Sequence, residues 1–193
     1  MRAFLAVPVS PPAQGPLAAR IEGLRQRIGG VRWVDPATTH VTLHFFAELP
    51  PERTAAVVDA VGGVVAGQAP FALQPGGYGS FPRGTRARVL WLGLGDESGA
   101  LAGLAAGVAD ALAGRGFEVD PRPFRSHVTL GRPGPRFDLQ AWRRELAEPV
   151  ELPAFTAREV LLYESRNGHH VRERLPFGLA AGGAGDGTGR RSR

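Results

Sequence analysis

The chain has 193 residues, 43% of them hydrophobic, with no cysteine and a net charge of +5, and all 23 of its strongly basic side chains are arginine. The missing cysteine excludes thiol nucleophiles, disulfides and Cys-based metal sites; the missing lysine excludes a Walker-A lysine, a Schiff base and a lysyl–nucleotide intermediate. The length suits one domain or two small lobes sharing a core, and the mild basic balance permits a phosphate-bearing partner without requiring one.

The N-terminal run RAFLAVPV (2–9) predicts a short buried strand bounded by proline. It is too short for the apolar region of a secretory signal, and no uncharged apolar run approaches the ~20 residues of a spanning helix. The expectation is a cytoplasmic, monomeric protein with no membrane contact. Apolar residues at 17, 21, 24 and 28 predict a helix stopped by Gly29-Gly30. VRWV predicts a short extended piece, and HVTLHFF (40–46) a strand rich in β-branched and aromatic residues. A helix over 51–68 follows, weakened by Gly62-Gly63. FALQPGGYGSF and ARVLWLGL predict two strands, and 96–116 a helix with an acidic start. FRSHVTLGR predicts a strand, residues 138–147 a short helix, and AFTAREVLLYES and HHVRERLPF two strands joined at RNG. The Gly-rich stretch 179–193 predicts a disordered Gly/Arg-rich tail behind a domain at 1–178.

Strand–helix–strand thus occurs twice, and each copy ends in His-Val-Thr-Leu, at 40–43 and, 87 residues later, at 127–130. Side chains alternate along a strand, so His40 and Thr42 share one face, and His127 and Thr129 do likewise. Two such strands across a cleft offer two imidazoles and two hydroxyls to one point. That set suits a phosphate: hydroxyls donate to its oxygens, and the imidazoles divide acid and base roles. One His-x-Thr alone reads better as a core strand with a satisfied histidine; equivalent positions in two copies turn the balance toward function.

His40 and His44 stand four apart like metal ligands on a helical turn, but the segment reads as a strand and lacks the glutamate of His-Glu-x-x-His, so no metal is expected. In a regular strand His44 shares the His40 face and can line the cleft, although a peripheral place is the better reading. Arg132 could neutralise a phosphate, although the pleat sets it opposite His127 unless the strand bends at Gly131. Trp33, Tyr78 and Phe81 could stack a base, although each taken singly reads better as core. His169 and His170 read as a solvated hairpin. WLGLGDESG imitates a dinucleotide fingerprint, but Ser98 replaces its third glycine, and no Gly-x-Ser-x-Gly elbow exists.

The segments VRWVDPATTHVTLHFFAELP, RVLWLGL, RPFRSHVTLGR and EVLLYES resemble, in order and spacing, the RNA 2′,3′-cyclic phosphodiesterase family, also called the bacterial and archaeal 2′-5′ RNA ligase family, of the two-histidine phosphoesterase superfamily. The resemblance covers about residues 1–177. It implies an α+β fold of two pseudo-symmetric lobes, with antiparallel sheets flanking a central cleft and helices outside. It implies hydrolysis of cyclic phosphate ends to 2′-phosphomonoesters, with His40 as proton donor, His127 as proton acceptor, and Thr42 and Thr129 as donors to phosphate oxygens. RNA ends or cyclic nucleotides are the implied partners, and no cofactor is needed. Phe46-Ala47-Glu48 departs from the family's usual Phe-Leu-Gly. Arg132, His44, Tyr78 and Phe81 are further candidates for substrate binding. Without lysine, any joining of RNA ends must be ATP-independent and weak beside hydrolysis. The rival expectations are a non-catalytic RNA-end-binding module and a phosphodiesterase for another substrate, such as an ADP-ribose cyclic phosphate.

Overall fold

The computed structural model describes residues 1–178; the tail expected over 179–193 lies outside the described residues. In chain order it runs β1 (Ala3–Pro8), α1 (Pro11–Arg27), β2 (Val31–Trp33), β3 (His40–Phe46), α2 (Thr54–Ala66), β4 (Phe71–Phe81) and β5 (Val89–Gly95). It continues through α3 (Ala100–Ala113), β6 (His127–Pro133), α4 (Leu139–Glu145), β7 (Phe155–Ala157), β8 (Glu159–Ser165) and β9 (His169–Pro176). The strands form two antiparallel sheets, one ordered β3-β1-β8-β9 and the other β2-β6-β5-β4-β7. In the first, β3 lies beside β1; in the second, β6 lies beside β5. The repeated tetrapeptides therefore hold matching places, each next to the strand that precedes it by one helix. Among the described residues no helix is long and apolar enough to cross a membrane.

The helices fasten the two halves to each other. Helix α1 follows β1 of the first sheet but packs toward the second: Arg20 meets Tyr78 of β4, and Arg27 holds Glu145 of α4 at 2.7 Å. Helix α3 follows β5 of the second sheet but packs against α2 and β3 of the first. Just beyond it, Phe117 contacts Phe46 and Arg53. Buried residues from both sheets accordingly form one continuous core. Val41, Val128 and Leu130 are fully buried behind the motifs. Burying a side chain of this size is worth about 1.5–3 kcal/mol, so the motif strands are pinned from behind.

Three boundaries depart from the sequence expectation. Helix α1 begins six residues before Leu17, because Pro11 and Pro12 occupy its first turn, where no amide donor is missed, and Ala13 is buried. Helix α3 begins after the acidic segment rather than in it: the Asp96 carboxylate accepts from the amides of Ser98 and Leu101, closing a turn ahead of Ala100. The expected single strand AFTAREVLLYES is two strands in two sheets. Phe155–Ala157 pairs with β4, Glu159–Ser165 pairs with β1 and β9, and the chain crosses at Arg158. Pattern alone did not reveal this crossing, since both pieces bury apolar residues.

Candidate active site

Strands β3 and β6 converge between the sheets. His40 pairs with Pro8 and Thr42 with Ala6 of β1; His127 pairs with Gly93 and Thr129 with Trp91 of β5. Directly opposed residues share a face. The opposite faces, carrying Val41 and Val128, form the core. All four polar motif residues are partly buried on the cleft side.

The two imidazoles are held alike. Nδ1–H of His40 donates to the Thr38 carbonyl at 2.7 Å, and Nδ1–H of His127 donates to the Arg125 carbonyl at 2.7 Å. Each acceptor lies two residues before its histidine. A carbonyl can only accept, so each Nδ1 carries the proton, and Nε2 remains to exchange one with a ligand. His40 stacks on Phe4 at 4.6 Å, with Tyr163 at 5.8 Å and the edge of His169 at 5.3 Å. His127 meets Phe81 edge-on at 5.1 Å and Trp91 at 6.3 Å. Burial among these rings pushes His40 down to about 4; the Thr38 carbonyl pulls upward, and the charges of His169 and His127 add smaller downward pushes. His40 is therefore neutral near pH 7 when the cleft holds no anion.

Beside His127 lies a cavity of about 520 Å³ with Phe81, Trp91, Arg125 and Ser126 on its wall. Gly79 makes it possible: a Cβ there would stand 2.1 Å from the Trp91 indole, which lies across the glycine. Within the described residues, Trp91 Nε1 and Ser126 Oγ are buried without hydrogen-bond partners. Gly93, the core of the false dinucleotide fingerprint, instead opposes His127 and leaves room for the same indole.

Two β-bulges overturn the face assignments of other candidates. In β3, Leu5 pairs with His44 and Ala6 with Thr42, so Leu43 is the extra residue; in β6, Leu90 pairs with Gly131 and Trp91 with Thr129, so Leu130 is extra. Each bulge follows its own His-x-Thr and reverses the alternation beyond it. His44 thereby turns to the face of Leu5 and is buried against Phe46 at 4.4 Å, with Nε2 lacking a partner among the described residues. It does not line the cleft, and its burial depresses its pKa, with Asp120 pulling the other way. Arg132 is corrected in the opposite sense: past Leu130 it lies on the cleft face, paired with Arg32. Tyr78 pairs with Leu92 on the core face, packs on Trp142 and accepts a hydrogen bond from Arg20. Of the sequence's aromatic candidates Phe81 reaches His127 and Tyr78 borders the same cavity, while Trp33 packs beside Gly131 on the core side, as a lone aromatic is expected to.

Sequence reasoning missed Phe4, Tyr163, His169 and Trp91. His169 is exposed at the hairpin end of β9, as expected, yet its ring also lies 4.9 Å from Phe4 and 5.3 Å from His40.

Paired His-x-Thr strands between two sheets have the layout of a two-histidine phosphoesterase. Solved structures share the fold: a Thermus thermophilus protein at TM-score 0.76 and 24% identity, and E. coli LigT complexed with 3′-AMP at 0.69 and 23%, each matching 92% of this chain and 98% of its own. The chain belongs to the 2′-5′ RNA ligase superfamily, whose family model matches residues 13–169. Relatives named RNA 2′,3′-cyclic phosphodiesterase include one from Geobacillus stearothermophilus, 31% identical over 84% of this chain but only 51% of its own length. Another, from Archaeoglobus fulgidus, is 33% identical over 68% of this chain and 72% of its own.

Proposed function

We propose that residues 1–178 form one catalytic domain that hydrolyses 2′,3′-cyclic phosphate ends of RNA to 2′-phosphomonoesters. The observation that carries this reading is the identical tethering of His40 and His127 through Nδ1, on converging strands, which leaves both Nε2 atoms for chemistry. The names of the relatives supply the substrate class. Water attacks phosphorus in line with the 3′-oxygen; His127 takes its proton. The P–O3′ bond breaks, and His40 donates a proton to the departing oxygen. Thr42 and Thr129 donate to the non-bridging oxygens, where charge accumulates.

His40 must hold a proton at Nε2 to act as donor, yet it is neutral in the free protein. The bound phosphate supplies the difference, because an anion beside an imidazole favours its charged form. Binding of a nucleoside 2′-monophosphate is therefore expected to draw a proton onto His40. Its NMR titration should midpoint near 4 in the free protein and move upward with ligand. An unmoved His40 titration under saturating ligand would remove it as the donor.

The test of the activity is product identification. Cyclic mononucleotides should give 2′-monophosphates. RNA halves bearing a 2′,3′-cyclic phosphate and a 5′-hydroxyl should give traces of 2′-5′ joined product with or without ATP. Water at roughly 55 M outcompetes dilute RNA ends unless binding supplies a comparable effective concentration. Binding without product would leave an RNA-end-binding module, and strict ATP dependence of joining would refute the reverse-hydrolysis route.

A further inference from the structure

The cleft face of the second sheet continues past Thr129. Beyond the bulge, Arg132 stands on this face with Arg32 as its direct cross-strand partner. Like charges opposed on one sheet face repel. Both side chains are exposed, and among the described residues neither has a carboxylate partner. On the other side of β5, Phe81 pairs with Val89. Leu90 pairs with Gly131, so Val89 lies beside Arg132 in the same row. With strands about 4.8 Å apart, the row Phe81–Val89–Arg132–Arg32 spans roughly 14 Å.

The hairpin from Phe81 to Val89 reads PRGTRAR and contains no acid. It is held by the amide of Ala87 donating to Gly84 at 3.2 Å and that of Arg88 to Phe81 at 2.8 Å. Arg83, Arg86 and Arg88 are exposed and, among the described residues, also lack carboxylate partners. Arg86 and Arg88 border a shallow cavity of about 500 Å³. Arg32 and Arg132 thus stand in the row that starts at Phe81, the ring against His127, and the exposed hairpin beyond Phe81 carries three more guanidiniums. A single nucleotide on the histidines cannot use them all, because Arg32 on β2 and the β4–β5 hairpin lie at opposite ends of a row spanning roughly 14 Å. Repeated, regularly spaced phosphates can, and guanidinium binds phosphate oxygens in a bidentate fork.

We propose that Arg32, Arg132 and the Arg83/Arg86/Arg88 hairpin bind backbone phosphates of the RNA chain behind its cyclic end, making the protein selective for polynucleotide ends over cyclic mononucleotides. The inference rests on the cleft reading for the position of the cyclic end, but the arginine contacts can be measured without turnover. The full chain is titrated against a fluorescent RNA octanucleotide ending in a 2′,3′-diol, across a salt series. In parallel, hydrolysis is followed on a cyclic mononucleotide and on the octanucleotide with a cyclic end. In the triple variant Arg83→Gln/Arg86→Gln/Arg88→Gln the slope of log affinity against log salt should become shallower by about two. Its kcat/KM should fall about tenfold or more on the octanucleotide and stay within about twofold on the mononucleotide. Arg32→Gln should act in the same direction by a smaller step. Unchanged octanucleotide affinity and slope in a folded triple variant would overturn the proposal, as would equal wild-type kcat/KM on both substrates. Equal binding of poly-glutamate would also overturn it, as the band would then read only charge. Arginine-dependent RNA binding with no hydrolysis of any cyclic phosphate would leave the band standing and refute the cleft reading instead.

Discussion

Replacing either His40 or His127 with alanine is expected to lower turnover of a cyclic phosphate by roughly 10²–10⁴-fold or more. The two losses should be strongly non-additive, because in the proposed mechanism both imidazoles serve one displacement and the residual rate after either loss comes from phosphate binding alone. Folding should survive. His40 rests on Phe4 and Tyr163, and His127 on Phe81 and Trp91, while Val41, Val128 and Leu130 anchor the strands from the core. Loss of His40 also removes a buried imidazole that resists protonation, so the variant should tolerate mild acid at least as well as the wild type. A histidine depressed in the folded state leaves the unfolded chain binding more protons between about pH 6.5 and 4, so falling pH favours unfolding across that window, a loss the alanine variant escapes. Thr42→Val and Thr129→Val each remove one donor and should cost less than either histidine. Near-wild-type turnover in a folded His40→Ala or His127→Ala protein would end the two-histidine mechanism.

Gly79→Ala should damage both stability and turnover, although alanine is the smallest side chain that can be added. The new Cβ would sit 2.1 Å from Cζ2 and 2.2 Å from Cη2 of Trp91, far inside contact distance, so the indole must leave. Overpacking of this kind costs about 1–3 kcal/mol, a fall in Tm of roughly 3–10 °C for a chain this size. The indole borders the His127 pocket, and its displacement shifts the wall against which His127 is held. Misplacement of a reacting group by about 1 Å can cost on the order of 10²-fold in rate, and a drop of about 10–100-fold is expected here. A double-mutant cycle isolates the cause: in a Trp91→Ala background, Gly79→Ala should cost little further stability. Equal cost in both backgrounds would show that the indole is not what the glycine accommodates.

Much of the site could be read from local pattern. The tetrapeptide repeat announced two equivalent strands, and strict alternation within each His-x-Thr placed imidazole and hydroxyl on one side with valine on the other. That inference holds because pleat is a property of a single strand and needs no neighbour. The same rule failed one residue later, at both Leu43 and Leu130. A bulge is a mismatch between two strands: it exists only once the register of β1 on β3 and of β5 on β6 is set. His44 and Arg132 therefore exchanged faces relative to expectation. Tyr78, by contrast, follows plain alternation with Gly79 and Phe81 and packs in the core.

Composition and motif were enough to exclude thiol and lysine chemistry and to nominate His40, Thr42, His127 and Thr129, since these depend on residue identity and on spacing within one strand. The environment of those residues was beyond their reach. Phe4 lies at one end of the chain, and Tyr163 and His169 near the other; they meet at His40 only because β1 sits between β3 and β8 in one sheet. The depressed His40, the indole laid over Gly79 and the arginine row across β2 and β6 all arise from contacts between segments far apart in sequence. Such contacts are set by packing and register, which no local periodicity encodes.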